Sequence, residues 1–598
     1  MTRLIYQTWI VVLLVLNSAA QVLAADRSAF RAGAAAVDIS PQTLPAIMNG
    51  GFLQRTANRV IDPLSARALV LDDGKETIAI VIVDSCMIPT AVCDDIKRRA
   101  TARIGISSDR ILISATHTHA APSVMEMCLG SGADQAYLNF VPERIVQSIA
   151  EAHAKLQPAK FGWSIVDAAD LTNCRRWITR SDRMGTDPFG QQTVRAMMHP
   201  GYQNPDYTCP AGPIDPWLSV FSVVAAKDDL PICVFANLSM HYFGGPGFSA
   251  DYFGEVARLL EAKIGKASGK AASGFVGIMS QGTSGDLHWM DYSKPPRDLN
   301  RREYSLVVAD RILQSLETID HQSNVSLAMA EKRLVVNRRT PSQERRQWAR
   351  AINGRRGNRP PQDRVEVYAR QAEWIHENPA AEVVLQALRI GELGITAIPN
   401  EVYGITGLKL RRQSPLAATF NLELANGAVG YIPPPEQHRL GGYTTWPART
   451  AGLVEEAEPL IVETLLNLLE TVAGMNRRTI KVHNSVYSEA VISKKPVAYW
   501  RLDDMSSSRA EDAMGRCDAN YHGPVALFLP QSIHSKVPTT EFAEPAAYGN
   551  RCAYLAGGHI AATLDHIDDA YSAAMLFWNC VPGEARDTTG VCFSNGTE

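Results

Sequence analysis

Short apolar runs punctuated by turns and helical stretches dominate the first three hundred positions. Residues 32–38 (AGAAAVD), 66–72 (ARALVLD) and 77–84 (TIAIVIVD) each suit a strand covered on both faces. Asp73-Gly74 between the second and third of these predicts a hairpin. Residues 90–104 carry helical periodicity, and the apolar run Ile111, Leu112, Ile113 then opens another strand, ILISATHTH. Residues 138–156 read as a helix, and a Pro-rich loop region follows around 183–216. Strands resume at 217–226, 231–238 and 274–280, with helices at 251–266 and 299–318. Residues 341–380 are rich in Arg and Gln with amphipathic spacing, as expected of a solvated helical insertion. Residues 384–398 give further strands, and the strongly periodic segment 453–473 predicts a closing helix. The rhythm predicts an α/β fold with a central, mostly buried mixed sheet. No fixed period recurs, which excludes a solenoid or a propeller.

With 598 residues, the chain exceeds a single domain on a prior of ~150 residues each. Its 59 basic and 62 acidic residues nearly cancel, and no basic stripe suggests a nucleic-acid partner. Residues 1–24 resemble a secretory leader: Arg3, an apolar core WIVVLLVL, and small residues before Ala25. The expected location is therefore secreted, periplasmic or at the cell surface, with peripheral membrane contact left open. Cysteines fall into two even groups, Cys86, Cys93, Cys128, Cys174, Cys209 and Cys233, then Cys517, Cys552, Cys580 and Cys592. Disulfides within each group are expected in that compartment, although Cys86, at a strand end, also suits a buried thiol.

Several candidate ligands share one placement. His117 and His119 directly follow an apolar strand, so does His241, and Glu401 follows the strands of 384–398. On extended backbone, His117 and His119 point to one face. Sites in open α/β sheets form beyond the carboxyl ends of strands. Imidazoles plus a carboxylate make an ordinary zinc ligand set, and zinc suits hydrolysis.

The segment ISATHTHAAP resembles the ISATHTHSGP of neutral (alkaline, non-lysosomal) ceramidases. AAAVDISP, DPLSARALVLDDG, VFANLSMH, SADYFG, FVGIMSQGTSGDLH, AIPNEVYGITGLKLR and GAVGYIPPPEQHRLGGY follow in that family's order, across about residues 30–475. The resemblance implies a mixed-sheet metallohydrolase-type catalytic domain. It implies that His117, His241, Glu401 and Tyr431 hold Zn2+, with His119 near the reacting carbonyl. It places Tyr443 in the active site, Ser249 at the position of a serine once assigned as nucleophile, and Arg175 or Arg176 as the active-site arginine. The implied reaction cleaves an N-acyl amide such as ceramide to a fatty acid and an amine. Water attack with Ser249 positioning is preferred to a serine nucleophile, since a serine needs an adjacent base. A helix N-cap is the alternative role for Ser249. Asp286 suits a capping or supporting carboxylate.

Two motifs depart from the family: SADYFG stands where SGDN or SPDN is usual, and HTHAAP where HTHSGP is usual. Another amide or ester substrate therefore stays open beside ceramide, as does a non-catalytic glycan-binding protein. The tail departs further. PVAYWRLDD and the following text resemble the beginning of a laminin-G or concanavalin-A-like jelly roll, a partial all-β module that suggests a glycan partner. The expected organisation is a leader at 1–24, a catalytic domain at 25–475, a linker at 476–494 and the partial module at 495–598.

Overall fold

The computed structural model describes residues 30–267, 274–480, 486–506, 509–530, 551–564 and 572–574. The expected leader at 1–24 lies outside them, as do Cys580 and Cys592.

The larger sheet contains β1 (Arg31–Asp38), β2 (Ser65–Asp72), β3 (Thr77–Val83), β4 (Ile111–Ala115), β5 (Gln157–Asp167), β6 (Trp217–Ala225), β7 (Pro231–Leu238) and β8 (Val276–Gln281). Their spatial order is β8-β7-β6-β5-β1-β2-β3-β4. The pairs β3–β4 and β7–β8 are parallel and the others antiparallel. The Asp73-Gly74 hairpin forms, with Asp72 opposite Thr77. A second sheet runs β9 (Leu327–Asn337), β10 (Ala380–Ile390), β11 (Leu393–Ala397), β12 (Ala418–Leu422), with only β11–β12 parallel.

Alternation explains how the layers stack. Along β3, Ala79, Val81 and Val83 face one way, into a core shared with helices α1 (Thr90–Ile104) and α2 (Gln135–Ala154). Ile78, Ile80 and Ile82 face the other way, against Leu388, Ile395 and Phe420 of the second sheet. Helices α3 (Asp251–Ala267) and α4 (Arg301–Leu316) cover the β6–β8 half. Helices α5 (Gln343–Arg356), α6 (Arg364–Glu377) and α7 (Gly404–Gln413) come next in the chain. The outer face of the second sheet packs on α8 (Ala457–Ala473) through Ile461, Leu465 and Leu469. The result is four layers, helix, sheet, sheet, helix, with the central strands of both sheets buried on both faces.

Several expectations change. Residues 341–380 form α5 and α6, and these are docked rather than standing free. Tyr368 of α6 packs on Trp446, and Gln371 bonds Leu129 and Arg449 main-chain atoms. The expected linker contains a helix, Val486–Ser493. Beyond it, the described tail has two two-stranded ribbons, Asn520–His522 with His559–Ala561 and Ala526–Pro530 with Arg551–Tyr554. A jelly roll is not shown among the described residues. Met505, Tyr521, Leu527 and Phe528 instead bury themselves against Tyr403, Ile405, Leu408 and Tyr431 of the α/β part. The disulfides expected in the first group do not form at Cys86, Cys93, Cys128, Cys174 or Cys233, which are buried thiols. They sit inside packed elements, where burial pushes the Cys93, Cys128 and Cys174 thiols up to about 12. No described helix is long and apolar enough to cross a membrane.

Candidate metal centre

The site lies where several strands end. After the fully buried β4, the main chain is clamped by Thr116 N–H to Val83 O (2.9 Å) and His117 N–H to Ser85 O (2.9 Å). His117 then takes φ +65°, a left-handed value costly for a side chain with a Cβ. Its Nδ1 is 2.8 Å from Cys86 O, so Nδ1–H donates there and the Nε2 lone pair faces inward. His241, three residues past β7, repeats the device with Nδ1 3.1 Å from Ser284 O. Glu401 opens the two-residue strand Glu401–Val402, which pairs in parallel with Tyr431–Ile432 and sets Glu401 beside Tyr431. Gly430, at φ +93°, permits that pairing, because a Cβ there would fall 2.3 Å from Thr450 C.

These elements converge. His117 Nε2 is 3.3 Å and His241 Nε2 4.0 Å from Glu401 Oε2. One donor atom from each of the three lies within 4.8 Å of the others. All three residues are 1% exposed, yet Glu401 Oε2 and His241 Nε2 have no hydrogen-bond partner. A buried carboxylate oxygen left unmatched is costly, and one divalent cation between the three groups would satisfy it together with both imidazoles. The residues therefore fit a metal ion.

Around this triad stand the other expected residues. His119 Nε2 is 3.0 Å from His117 Nε2, and its ring stacks on Tyr242 at 3.6 Å and 15°. Desolvation, then the His117 and Arg175 neighbours, hold His119 neutral, well below its ordinary pKa. Desolvation and Arg175 do the same for His241. Burial first, and the Glu401 charge second, push the Tyr431 phenol well above its usual range. The Tyr443 phenol is raised by burial too, and its ring lies 6.0 Å from Tyr431 and edge-on to Phe52.

The two arginines separate. Arg175 Nη2 donates to Tyr431 Oη (3.2 Å) and to Gly285 O (2.8 Å). Arg176 points elsewhere: it donates to Gln437 Oε1 (3.1 Å) and to the Gln437 and Gly441 carbonyls, staking down the loop after Tyr431. Ser249 Oγ is committed as well. It donates to Asp62 Oδ2 (2.6 Å), while accepting from Arg301 Nη1 (2.5 Å) and from Asp251 N (3.0 Å), the first residue of α3. Asp286 Oδ1 accepts from Gly404 N (2.8 Å), the first residue of α7, and burial raises its carboxyl to about 6. Glu423 supports the centre from behind, accepting from Val402 N (2.8 Å) and Ser284 Oγ (2.8 Å).

Sequence reasoning missed Tyr242; His288, whose ring lies 6.4 Å from that of His241; His199, which contacts Arg175; and Tyr292, which contacts His199. Tyr242 immediately follows His241, and His288 ends the GTSGDLH motif, so both had a signal. His199 and Tyr292 had none, because they reach the site from loops.

Comparison with known proteins adds a family. Residues 30–179 match the family "Neutral/alkaline non-lysosomal ceramidase, N-terminal". A rice (Oryza sativa subsp. japonica) neutral ceramidase is 29% identical over 172 residues, 27% of this chain and 21% of the relative, so the chain spans about a fifth of that relative's length. The crystal structure of a neutral ceramidase from Pseudomonas aeruginosa has the same fold, with TM-score 0.56 at 18% identity over 77% of each chain. A ceramidase complexed with C2 is similar to the same degree, with TM-score 0.56 at 18% identity, over 76% of this chain and 77% of the other. The resemblance read from the motifs is thus borne out, by sequence over the N-terminal quarter and by fold over three quarters.

Proposed function

We propose that this chain, similar to neutral ceramidases, is a zinc-dependent amidohydrolase that cleaves a ceramide-like N-acyl lipid to a fatty acid and a free amine. One observation carries the reading. His117, His241 and Glu401 converge in the interior, and two of their ligand atoms, His241 Nε2 and Glu401 Oε2, have no hydrogen-bond partner. The family likeness supports the substrate class, and the similar ceramidase complexed with C2 supports it further.

Bound at the triad, zinc supplies Lewis acidity and a water whose pKa falls to ~7. The protein's own groups do the rest. Cys86 O and Ser284 O hold the two imidazole rings by Nδ1–H, so that Nε2 is presented inward. Arg175, fully buried and permanently charged, grips Tyr431 Oη, and the pair is placed to steady negative charge on a polarised amide oxygen. Neutral His119, half-buried beside the triad, can take a proton and return it to the departing amine. Tyr443, edge-on to Phe52, and Tyr242, stacked on His119, are half-buried apolar rings beside the triad that suit contact with acyl chains. Ser249 acts through Asp62, Arg301 and the start of α3 rather than as a nucleophile. Action outside the cytoplasm belongs to the same proposal, supported by the leader-like residues 1–24.

The test is zinc content and turnover of a fluorescent N-acyl sphingosine, measured beside Glu401→Gln and His117→Ala. About one zinc per chain is expected, with turnover that falls by roughly a hundredfold or more in each variant. A protein that neither binds metal nor hydrolyses the amide refutes the reading. Metal binding with hydrolysis of other acyl compounds only refutes the ceramide assignment.

A further inference from the structure

Arg175 has a neighbour on the solvent side that the reaction scheme leaves idle. Its Nη1 lies 3.4 Å from His199 Nε2. A guanidinium only donates, so His199 Nε2 must be the acceptor. The hydrogen of that imidazole is therefore on Nδ1, which is 2.6 Å from Tyr292 Oη. Tyr292 Oη in turn points its own hydrogen at Met290 Sδ, 3.0 Å away. The chain of donors thus runs one way, from Arg175 to His199 to Tyr292 to Met290, with the tautomer of His199 set at both ends.

The main chain reinforces this contact. His199 N–H donates to Arg175 O (2.9 Å), just past the register in which Arg176 faces Met198. His199 adopts φ +56°, a left-handed value that no glycine is present to ease. Its outer edge is open to solvent while both ring nitrogens face inward. Desolvation of that inner side, then the Arg175 charge, push the imidazole down to about 3, so it stays neutral across the working range. An exposed residue held in a strained conformation by three directed contacts is not explained by core packing.

We propose that His199 is a positioning residue for the reaction: its Nε2 anchors Arg175 at Nη1, and so fixes the guanidinium that grips Tyr431 Oη beside the triad. With Nε unpartnered, Arg175 is located at one end by Tyr431 and Gly285 O and at the other by His199. Removing the anchor frees the guanidinium to turn toward water and leaves the triad untouched.

The inference rests on the hydrolase reading for its kinetic consequence but not for its structural one, and the experiment reads both. His199→Leu removes the acceptor, and His199→Gln returns one, because Gln Oε1 can take the place of Nε2. In His199→Leu, kcat should fall roughly tenfold or more, with KM within about twofold and zinc content unchanged. His199→Gln should recover most of that loss. A crystal structure of His199→Leu should show Arg175 Nη2 withdrawn from Tyr431 Oη. Arg175 still bonded to Tyr431 in that structure, or equal kcat in the Leu variant and wild type, overturns the inference. A wild-type protein without turnover overturns the hydrolase reading instead, and the crystal structure still decides whether His199 anchors Arg175.

Discussion

Arg175 and Arg176 leave the same stretch of chain in opposite directions, one into the site and one into the loop that supports it. Nothing in the string NCRRW distinguishes them, because the difference lies in carbonyls supplied by Gln437 and Gly441, more than 250 positions later. Ser249 teaches the same lesson. The motif SADYFG offers its hydroxyl as a nucleophile, but the three partners that occupy it are Asp62, Arg301 and the α3 amide. Ser249→Ala should therefore cost about 1 kcal/mol of stability through the loss of a helix-start acceptor. It should lower kcat by less than about tenfold, whereas deleting a true nucleophile costs on the order of 10^4 or more. Thermal melting together with kcat of the purified variant checks both expectations. His117, His241 and Glu401 were legible as a group from their common placement after apolar strands. Their neighbours Tyr242 and His288 adjoin recognised motifs, and His199 could be found only by its contacts.

Strands and helices were more legible than residues, and the exceptions have physical causes. Continuous apolar runs such as TIAIVIV announce a strand covered on both faces, and β3 is one. β5 (QPAKFGWSIVD) escaped detection because its burial is patchy and one face carries Lys160 and Ser164. β9 escaped because it is an edge strand whose middle reads Glu331-Lys332-Arg333, charges of the kind that discourage further pairing. Among the smaller elements, the hairpin Ala46–Met48 with Arg55–Ala57 has the most direct bearing on the site. Gly50 in its turn, at φ +95°, lies so close to His119 that a Cβ would meet the ring at 2.4 Å. Gly50→Ala combines a left-handed backbone with that collision. It should tilt His119 off Tyr242 and cut kcat at least roughly tenfold, while zinc content holds. The pair of measurements separates displacement of His119 from loss of the metal.

At the scale of the whole molecule, two sheets back to back between helices make a rigid support, and loops from both sheets supply the site. His117 and His241 come from the first sheet, Glu401 and Tyr431 from the neighbourhood of the second. The α/β character and a buried central sheet were readable from periodicity, but the packing of the second sheet on the first was not, since no local pattern records which faces meet. The tail shows this most clearly. Read as text it resembles a separate module, yet Met505, Tyr521, Leu527 and Phe528 form one cluster with Tyr403, Leu408 and Tyr431. A chain ended after Lys495 should expose that apolar wall, bind a hydrophobic dye and melt several degrees lower, at roughly 1 °C per kcal/mol lost for a unit of this size. An unchanged melting temperature with no dye binding would mean that the tail is an appendage.

That shared cluster also bears on when the site is completed in the life of a single molecule. The three converging residues are spread from position 117 to position 401, and the residues backing Tyr431 come from 505–528. A ribosome adding ~5–20 residues per second needs on the order of tens of seconds to travel that distance. Throughout that interval the emerging chain has histidines but no assembled centre. If the proposed hydrolase reading holds, a chain built in this order gains its chemistry only after residues 505–528, which pack behind Tyr431, have been made.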